Sequence, residues 1–470
     1  MNTGTTPLAR LLGDDLQVPL LGGGQTRYVN LDNAATTPPF RRVWDRLAEV
    51  MPWYGSIHRG AGFKSVVSTR LLEKSLATIL RFSGGDPGDD MLVLGWNTTS
   101  CLNHLARRLR LGPDSVVLTS DAEHTSNILP WRKHARVLEC RAAADGGLDY
   151  DHLESLLKKH PVKLVTVTGA SNVTGAFTNV HRVARLSHQY GARMLVDAAQ
   201  LVAHRKIDRH PASSPDHLDF VVYGAHKMYA PFGIGVLAAG KETFRDGWPD
   251  VAGGGTIRLI DGDEIVWSDL PERESGGTPN FPGLVALAEA CEVITEIGFK
   301  NIEEHENALL RRASEKLLGV PHISVFRDLD PVGRGGAAVI PFSIRGYHHS
   351  LVAAVLGAER GIGVRAGHLC QFELIRRFLK ITHEERLKAR EDIKAGDRRS
   401  LYGVVRASCG LGTTVADIDA LAEALHALVE GRVKGQYEQG LDGEYRARDW
   451  EPLLPDSEVR YAQPAFVKTL

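Results

Sequence analysis

The chain is short of cysteine: five in 470 residues (Cys101, Cys140, Cys291, Cys370 and Cys409), odd in number, scattered, and with no CxxC pair. That excludes the disulfide framework of a small secreted domain, offers no zinc-ribbon spacing, and fits a reducing compartment. Charge imbalance is missing too. Fifty-six basic residues face 57 acidic ones, a formal charge of −1, so no net field is available to hold a nucleic acid or an anionic membrane. No run reaches the roughly 18 apolar residues of a membrane span, and the start, MNTGTTPLARLLGDDLQ, lacks the basic residues and the apolar stretch of about 7–15 residues of a secretory signal. A cytoplasmic location is expected, without a nucleic-acid or membrane partner. Internal repeats and low-complexity tracts are also lacking.

What is present is enough apolar material, 43% of residues, for two or three compact units. Short β-branched runs recur between helical patterns: MLVLG (91–95), SVVLT (115–119), KLVTVTG (163–169), RMLVD (193–197), DFVVYG (219–224) and GIGVLAAG (233–240). Continuous apolar strands alternating with helices predict an α/β fold with a mostly parallel sheet covered on both faces. After about residue 285 the texture changes to long amphipathic helices (LVALAEACEVITEIG, NIEEHENALLRRASEKLLG), then strand-like HISVFR and AAVIPFSI and a closing helix near DIDALAEALHALVEG. The expected organisation is an N-terminal segment (1–27), a large domain (28–285), a smaller α+β domain (286–430) that takes in part of the N-terminal segment, and a tail (431–470) without clear period that wraps the surface.

Two polar residues leave strand ends together. One strand closes on Val196-Asp197-Ala198-Ala199-Gln200, another on Gly224-Ala225-His226-Lys227. Open α/β sheets bind ligands at the carboxyl edge of their strands, so an aspartate and a lysine emitted there reach one small molecule together. Pyridoxal chemistry needs this pair: a lysine amine for the aldehyde, and a carboxylate that keeps the pyridine nitrogen protonated and the ring an electron sink. Either residue alone reads equally well as a solvent-facing lysine or an N-cap aspartate. Asn97-Thr98-Thr99, just past a strand and opening a helix, offers free N–H groups and the favourable end of a dipole to an anion. An ordinary N-cap is the bland alternative.

Over residues 28 to 430 the chain resembles the class V aminotransferases, and within them the group II cysteine desulfurases and selenocysteine lyases. The ordered set YVNLDNAATTP (28–38), HRGAG (58–62), NTTSCLN (97–103), EHTSNILPW (123–131), SNVTG (171–175), VDAAQ (196–200), AHKMYAPFGIG (225–235), GGGT (253–256), GGTPN (276–280), RAGHLC (365–370) and VRAS (405–408) carries the resemblance. It implies fold type I, with a large domain on a mainly parallel sheet and a smaller C-terminal one, and pyridoxal 5′-phosphate as cofactor. Lys227 then holds the aldehyde, Asp197 pairs with the pyridinium, Gln200 bonds the phenolic oxygen and His124 stacks on the ring. His124 can also move protons, given the near-neutral pKa of an unperturbed histidine. Thr98, Thr99 and His226 are the phosphate donors, and Thr278 reaches the phosphate of a neighbouring subunit, which implies a homodimer. Arg406 clamps the α-carboxylate of an amino acid substrate, a task suited to a planar bidentate fork. Asn172 helps at that carboxylate or at the ring oxygen, and His58 and Arg59 sit near the entrance. The glycine-rich GGGT loop is expected near the active site. One departure is Gly224, where family members often carry a phosphate-binding Ser or Thr; one lost neutral hydrogen bond is worth only about 0.5–1.5 kcal/mol.

Cys370 decides the reaction, since it aligns with the mobile-loop nucleophile of group II desulfurases. That implies conversion of L-cysteine to L-alanine with a persulfide on Cys370, passed on to an acceptor protein or a small thiol. A free thiol has a pKa of about 8.5, so Arg365 or a protonated His368 is expected to raise the thiolate fraction. The other four cysteines, inside apolar patterns, read as structural. Leu369 stands where relatives commonly have a second histidine, and 371–400 is longer and more charged than the usual bridge. A lid, a dimer arm and a docking surface are open readings of that stretch; charged runs favour a solvated helical insertion framing the entrance. The runner-up is another class V reaction on a cysteine-like or β-substituted amino acid: C–S lysis, transamination or epimerisation. A PLP-fold protein without catalysis ranks last. HEERL and HENALL lack a second histidine at i+4, so no metal is expected in the chemistry.

Overall fold

Seven strands form the central sheet of the computed structural model, which describes residues 4–57, 60–143, 146–330, 336–448 and 450. They are β1 (Asp90–Gly95), β2 (Val116–Ser120), β3 (Arg136–Cys140), β4 (Val162–Thr168), β5 (Arg193–Asp197), β6 (Phe220–Gly224) and β7 (Gly235–Gly240). In the sheet they lie in the order β1-β7-β6-β5-β4-β2-β3. β7 runs antiparallel to both neighbours, and every other pairing is parallel. β6 and β7 are buried along their whole length, as expected of apolar runs covered on both faces. Because β5 and β6 pair in parallel, with Asp197 opposite Val222, the residues that follow both strands emerge side by side at the carboxyl edge.

Helices α1 (Arg41–Val50), α2 (Phe63–Phe82), α3 (Thr98–Arg108), α4 (Val180–Gln189) and α5 (Phe281–Ile297) accompany this sheet. Helix α5 corrects the expected boundary. Twelve of its 17 residues are buried, and Leu284, Leu287 and Ile294 join the large core with Val43, Leu72 and Ile79. The segment that texture assigned to the second unit is thus an inner helix of the first. Gly298, at φ +82°, turns the chain into α6 (Phe299–Leu317). Along α6, Ile302 enters the first core and Leu309, Leu310 and Leu317 the second.

The second unit is an antiparallel sheet of β8 (Ile323–Val325), β9 (Val339–Ile344), β10 (Arg365–Gly367) and β11 (Val404–Ser408) in the order β8-β9-β11-β10. It is covered by α6, by α7 (His349–Arg360) and by α10 (Val415–Val429). The N-terminal strand Val29–Asn30 pairs in parallel with Ile362–Gly363 and sends Val29 and Leu31 into this core. Between β10 and β11 the insertion forms α8 (Phe372–Phe378) and α9 (His383–Lys394). Helix α9 is largely exposed, as a solvated helix should be, whereas α8 buries Leu374 and Ile375 against Ala122, Ala142 and Val173.

The described part of the tail is not featureless. It folds into a hairpin of β12 (Tyr437–Gln439) and β13 (Tyr445–Ala447), which packs beside α7. No period was visible because the strands are three residues long, too short to show an alternation. Among the described residues no helix is long and apolar enough to cross a membrane.

Candidate active site

A cavity of about 540 Å³ opens at the carboxyl edge of the central sheet, against the second unit. Lys227, Asp197, Gln200, His124, His226, Thr98, Thr99, Asn172, Arg406 and Cys370 all line it. Lys227 follows β6 through a single tight turn, which the segment around Thr36 and Thr37 grips. Thr36 Oγ1 and the Thr37 N–H donate to the His226 carbonyl, and the Tyr229 N–H donates to Thr37 Oγ1 at 2.7 Å. Among the described residues the Lys227 amine has no hydrogen-bond or ion-pair partner. Burial, set against the pull of Asp197 and reinforced by Arg406, lowers its pKa to about 8. Asp197 is itself buried; burial raises its pKa while the Ala199 N–H, at 3.0 Å, and Lys227 pull it down. Gln200 donates through Nε2 to the Ala34 carbonyl.

His124 departs from expectation. Its Nδ1 accepts from the Ser126 N–H at 3.1 Å, so the neutral ring carries its proton on Nε2. Burial first, then the cations Lys227 and Arg406, push its pKa down to about 4. The near-neutral value of a free histidine therefore does not apply. His226 is held neutral in the same way, at about 4, by burial and Lys227.

The start of α3 lines one end of the cavity. Asn97 caps it in a reciprocal box: Oδ1 accepts the Ser100 N–H at 2.9 Å and Ser100 Oγ accepts the Asn97 N–H at 3.1 Å. Thr99 Oγ1 shares a hydrogen bond with Ser126 Oγ at 2.7 Å. Thr98 Oγ1 is buried and has no hydrogen-bond partner among the described residues. A Cβ placed on Gly224 would stand 2.9 Å from that oxygen, so the missing side chain leaves the space the Thr98 hydroxyl occupies.

At the other end, Arg406 is buried on β11. Its NH1 donates to the Asn172 carbonyl and its NH2 to Asp32 Oδ1, both at 2.9 Å, while Nε has no partner among the described residues. The second oxygen of Asp32 takes Arg365, also at 2.9 Å. Asp32 was not among the residues singled out, because its partner lies 374 positions away in the sequence and is brought close by the bridge between Asp32 and Ser408. The Asn172 side chain is engaged locally: Nδ2 donates to the Leu369 carbonyl at 2.9 Å and Oδ1 accepts Gln371 Nε2 at 2.6 Å.

Those bonds fasten the Cys370 loop. Leu369 and Cys370 both have positive φ, +52° and +59°, a strained pair that persists only where surroundings over-determine it. Besides Asn172, Thr125 N–H donates to the Cys370 carbonyl at 3.2 Å and Gln371 Nε2 to the Ala122 carbonyl at 2.6 Å. Of the five cysteines, Cys370 is the one not buried. The expected activation by a protonated His368 fails. His368 stacks on Phe372, and burial with the nearby Arg398 pushes its pKa down, so the ring is neutral. Arg365 is committed to Asp32.

The rim holds residues that sequence reasoning missed: His348 and His349 at the start of α7, Arg398, and Asp442, Gly443 and Glu444 at the hairpin tip. Glu359 anchors the hairpin by accepting from the N–H groups of Lys434 and Gly435, both at 2.9 Å, and from Tyr437 Oη at 3.0 Å. Gly443 needs its φ of +86° there, and an added Cβ would lie 2.7 Å from the Arg398 carbonyl. Thr278 is not in this cavity. It is exposed in an adjoining one that shares Asn97 and Thr99. The GGGT loop lines neither; Gly254 accepts the Gly277 N–H at 2.8 Å and so steadies the Thr278 loop. His58 and Arg59 lie outside the described residues.

The family model for aminotransferase class-V matches residues 29–421. The chain belongs to the class V aminotransferase family. It is 31% identical over 411 residues to a probable cysteine desulfurase of Halalkalibacterium halodurans, covering 86% of this chain and 93% of that protein. A cysteine desulfurase of Dickeya dadantii is 30% identical over 85% of this chain and 91% of its own length. Among solved structures, a cysteine desulfurase of Thermococcus onnurineus superposes with a TM-score of 0.75 at 27% identity, over 86% of this chain and 95% of that one. One from Escherichia coli gives 0.71 at 26% identity over the same shares.

This class V protein therefore has fold type I and is a pyridoxal-phosphate enzyme, and its residues fit the cofactor. The cavity volume lies within the roughly 300–1,000 Å³ of small-molecule sites. The orphaned Thr98 hydroxyl at a capped helix start suits a phosphate, the buried Asp197 a ring N–H, and a partnerless lysine amine an aldehyde.

Proposed function

We propose that the chain is a cysteine desulfurase, converting L-cysteine to L-alanine and holding the sulfur as a persulfide on Cys370. The observation that carries this reading is Cys370 itself: the one accessible cysteine stands on a braced, strained loop in the cavity of Lys227 and Arg406. Pyridoxal phosphate, when bound, supplies an electron sink for the substrate's α-carbon.

The chain's own residues do the rest. Arg406, oriented by Asp32, offers its free Nε–H and displaceable neighbours to the substrate carboxylate. Lys227, with an amine pKa of about 8, is suited to take and return the α-proton near neutral pH. His124 presents a neutral Nε2–H to the ring region. The thiolate of Cys370 attacks the substrate sulfur. An S–S bond forms, the Cβ–S bond breaks, and its electron pair ends on the β-carbon, which takes a proton to become the methyl of alanine. Thr98, Thr99 and His226 hold the phosphate, Gln200 the phenolic oxygen. A homodimer completes the site, with Thr278 entering the neighbouring one; its place outside its own cavity and next to Asn97 and Thr99 supports this. The persulfide passes to an acceptor protein or a small thiol.

The test is turnover of L-cysteine with a reductant, with alanine, sulfide and pyruvate quantified for wild type and Cys370→Ala. Equimolar alanine and sulfide, both lost in the variant, are expected. Pyruvate formed independently of Cys370 would make the protein a C–S lyase instead.

A further inference from the structure

At the amino-terminal edge of the sheet, away from Lys227, histidines gather. His181 and His188 lie seven residues apart on one face of α4, and the segment leading into β6 carries His210 and His217 at the same spacing. The rings stack in pairs, His181 on His210 and His188 on His217, each with centroids 4.2 Å apart.

The second pair poses a proton-counting problem. His188 Nδ1 lies 2.9 Å from the Pro215 carbonyl, and His217 Nδ1 lies 2.9 Å from the Ser214 carbonyl. A carbonyl only accepts, so both Nδ1 atoms carry hydrogen. The two Nε2 atoms then face one carboxylate, that of Asp219, at 2.8 Å to Oδ2 and 3.2 Å to Oδ1. In neutral rings these nitrogens bear lone pairs, and acceptor meets acceptor twice. Protons resolve both contacts only if two are added, as two stacked imidazolium ions on one carboxylate or as one imidazolium beside a protonated carboxyl group. A single divalent cation resolves both with neutral rings.

We propose that His188 Nε2, His217 Nε2 and Asp219 hold a divalent transition-metal ion of the zinc class, with solvent completing its coordination. The ligand atoms already lie within 4.8 Å of one another. A tetrahedral ion with bonds of about 2.0–2.1 Å spaces its ligands roughly 3.4 Å apart, so no pair of ligand atoms has to close by more than about 1.4 Å. Two imidazoles and a carboxylate suit zinc, whereas calcium and magnesium prefer oxygen alone. The outer shell is in place: backbone carbonyls orient both rings, and the Met194 N–H, at 2.8 Å, orients Asp219. The ion would tie the end of α4 to the starts of β5 and β6, a structural clamp remote from the chemistry. The neighbouring group does not share the problem. Asp216 accepts from Ser214 Oγ at 2.6 Å, His210 Nδ1 at 3.0 Å and Arg185 at 2.9 Å, so each contact has its donor.

The experiment takes untagged holoenzyme, strips it with a chelator, equilibrates it with Zn²⁺, and measures zinc per chain after dialysis. Wild type and Cys370→Ala are expected to retain one equivalent, and His188→Gln and His217→Gln none, with the cofactor absorbance and circular dichroism of all four alike. Zinc raises Tm in the first two only. Equal retention in the histidine variants overturns the proposal, as does no retention by wild type. So does nitrogen-15 NMR showing both rings doubly protonated with zinc present.

Discussion

The carboxylate of Asp32 bridges Arg406 and Arg365, 2.9 Å from each, so the cation expected to meet the substrate is already oriented before substrate arrives. Replacing Asp32 by alanine removes the counter-charge of a buried guanidinium. Stability should fall by about 1–3 kcal/mol, read by urea denaturation, with a raised KM for cysteine. Arg406→Lys, which keeps the charge and loses the fork, should lower kcat/KM by about 2–5 kcal/mol, roughly 30- to 4,000-fold. An unchanged KM in both variants would remove the carboxylate role.

Lys227 sets a pH dependence for cofactor loading. Its amine pKa of about 8 lies below the ordinary 10.5 because burial disfavours the charged form. Only the neutral amine attacks an aldehyde, so the loading rate of apoenzyme should rise with pH and level off above about 8. Stopped-flow absorbance from pH 6 to 10 checks this; a rise that continues to pH 10 would contradict it. Lys227→Ala should show no covalent cofactor at any pH.

His124 should be silent as a titrating group above pH 5, since its pKa is near 4. The acid limb of the kcat/KM profile should keep its midpoint in His124→Gln, although kcat falls by about 10²–10⁴-fold if Nε2–H serves in proton transfer. A midpoint that moves with the substitution would show the ring ionising in the working range.

Thr98→Val keeps the shape of the side chain and deletes the orphaned hydroxyl. Hydrogen bonds to charged groups are worth about 1.5–3 kcal/mol, so pyridoxal-phosphate affinity should drop roughly 10- to 150-fold by fluorescence titration. The apoenzyme should gain slightly in stability, because a buried group without a partner is removed.

Truncation after Lys434 removes the hairpin whose tip lines the entrance. Alkylation of Cys370 by a bulky maleimide should accelerate severalfold, while alkylation by iodoacetamide changes little. Equal acceleration of both would place the effect in the loop's mobility instead.

Much of this site could be read from residues because strand ends are local. Asp197 and Lys227 follow unbroken apolar runs, and Thr98 follows another at a helix start, so the sheet's carboxyl edge could be named before any coordinate. The protonation states could not be read, since they depend on burial: His124 and His368 look like ordinary histidines until the groups packed around them are known. Asp32 stayed hidden because its partners come from strands more than 300 residues on. Helix α5 was misassigned because a helix buried on most sides lacks the polar stripe that marks a boundary. The clustered histidines escaped notice because half of each pair sits on a helix and half in a loop, with no motif spacing between them.

The hairpin carries one more consequence. The stretch matched by the family model ends at residue 421, and the hairpin begins at Tyr437. The doorway and the reaction chamber are thus written in separate passages of the chain, joined through Glu359 and through the Arg398 N–H, which donates to the Leu441 carbonyl at 2.8 Å. Under the proposed function, which acceptor can approach the sulfur is open to revision by altering the hairpin alone, without touching Lys227, Arg406 or Cys370.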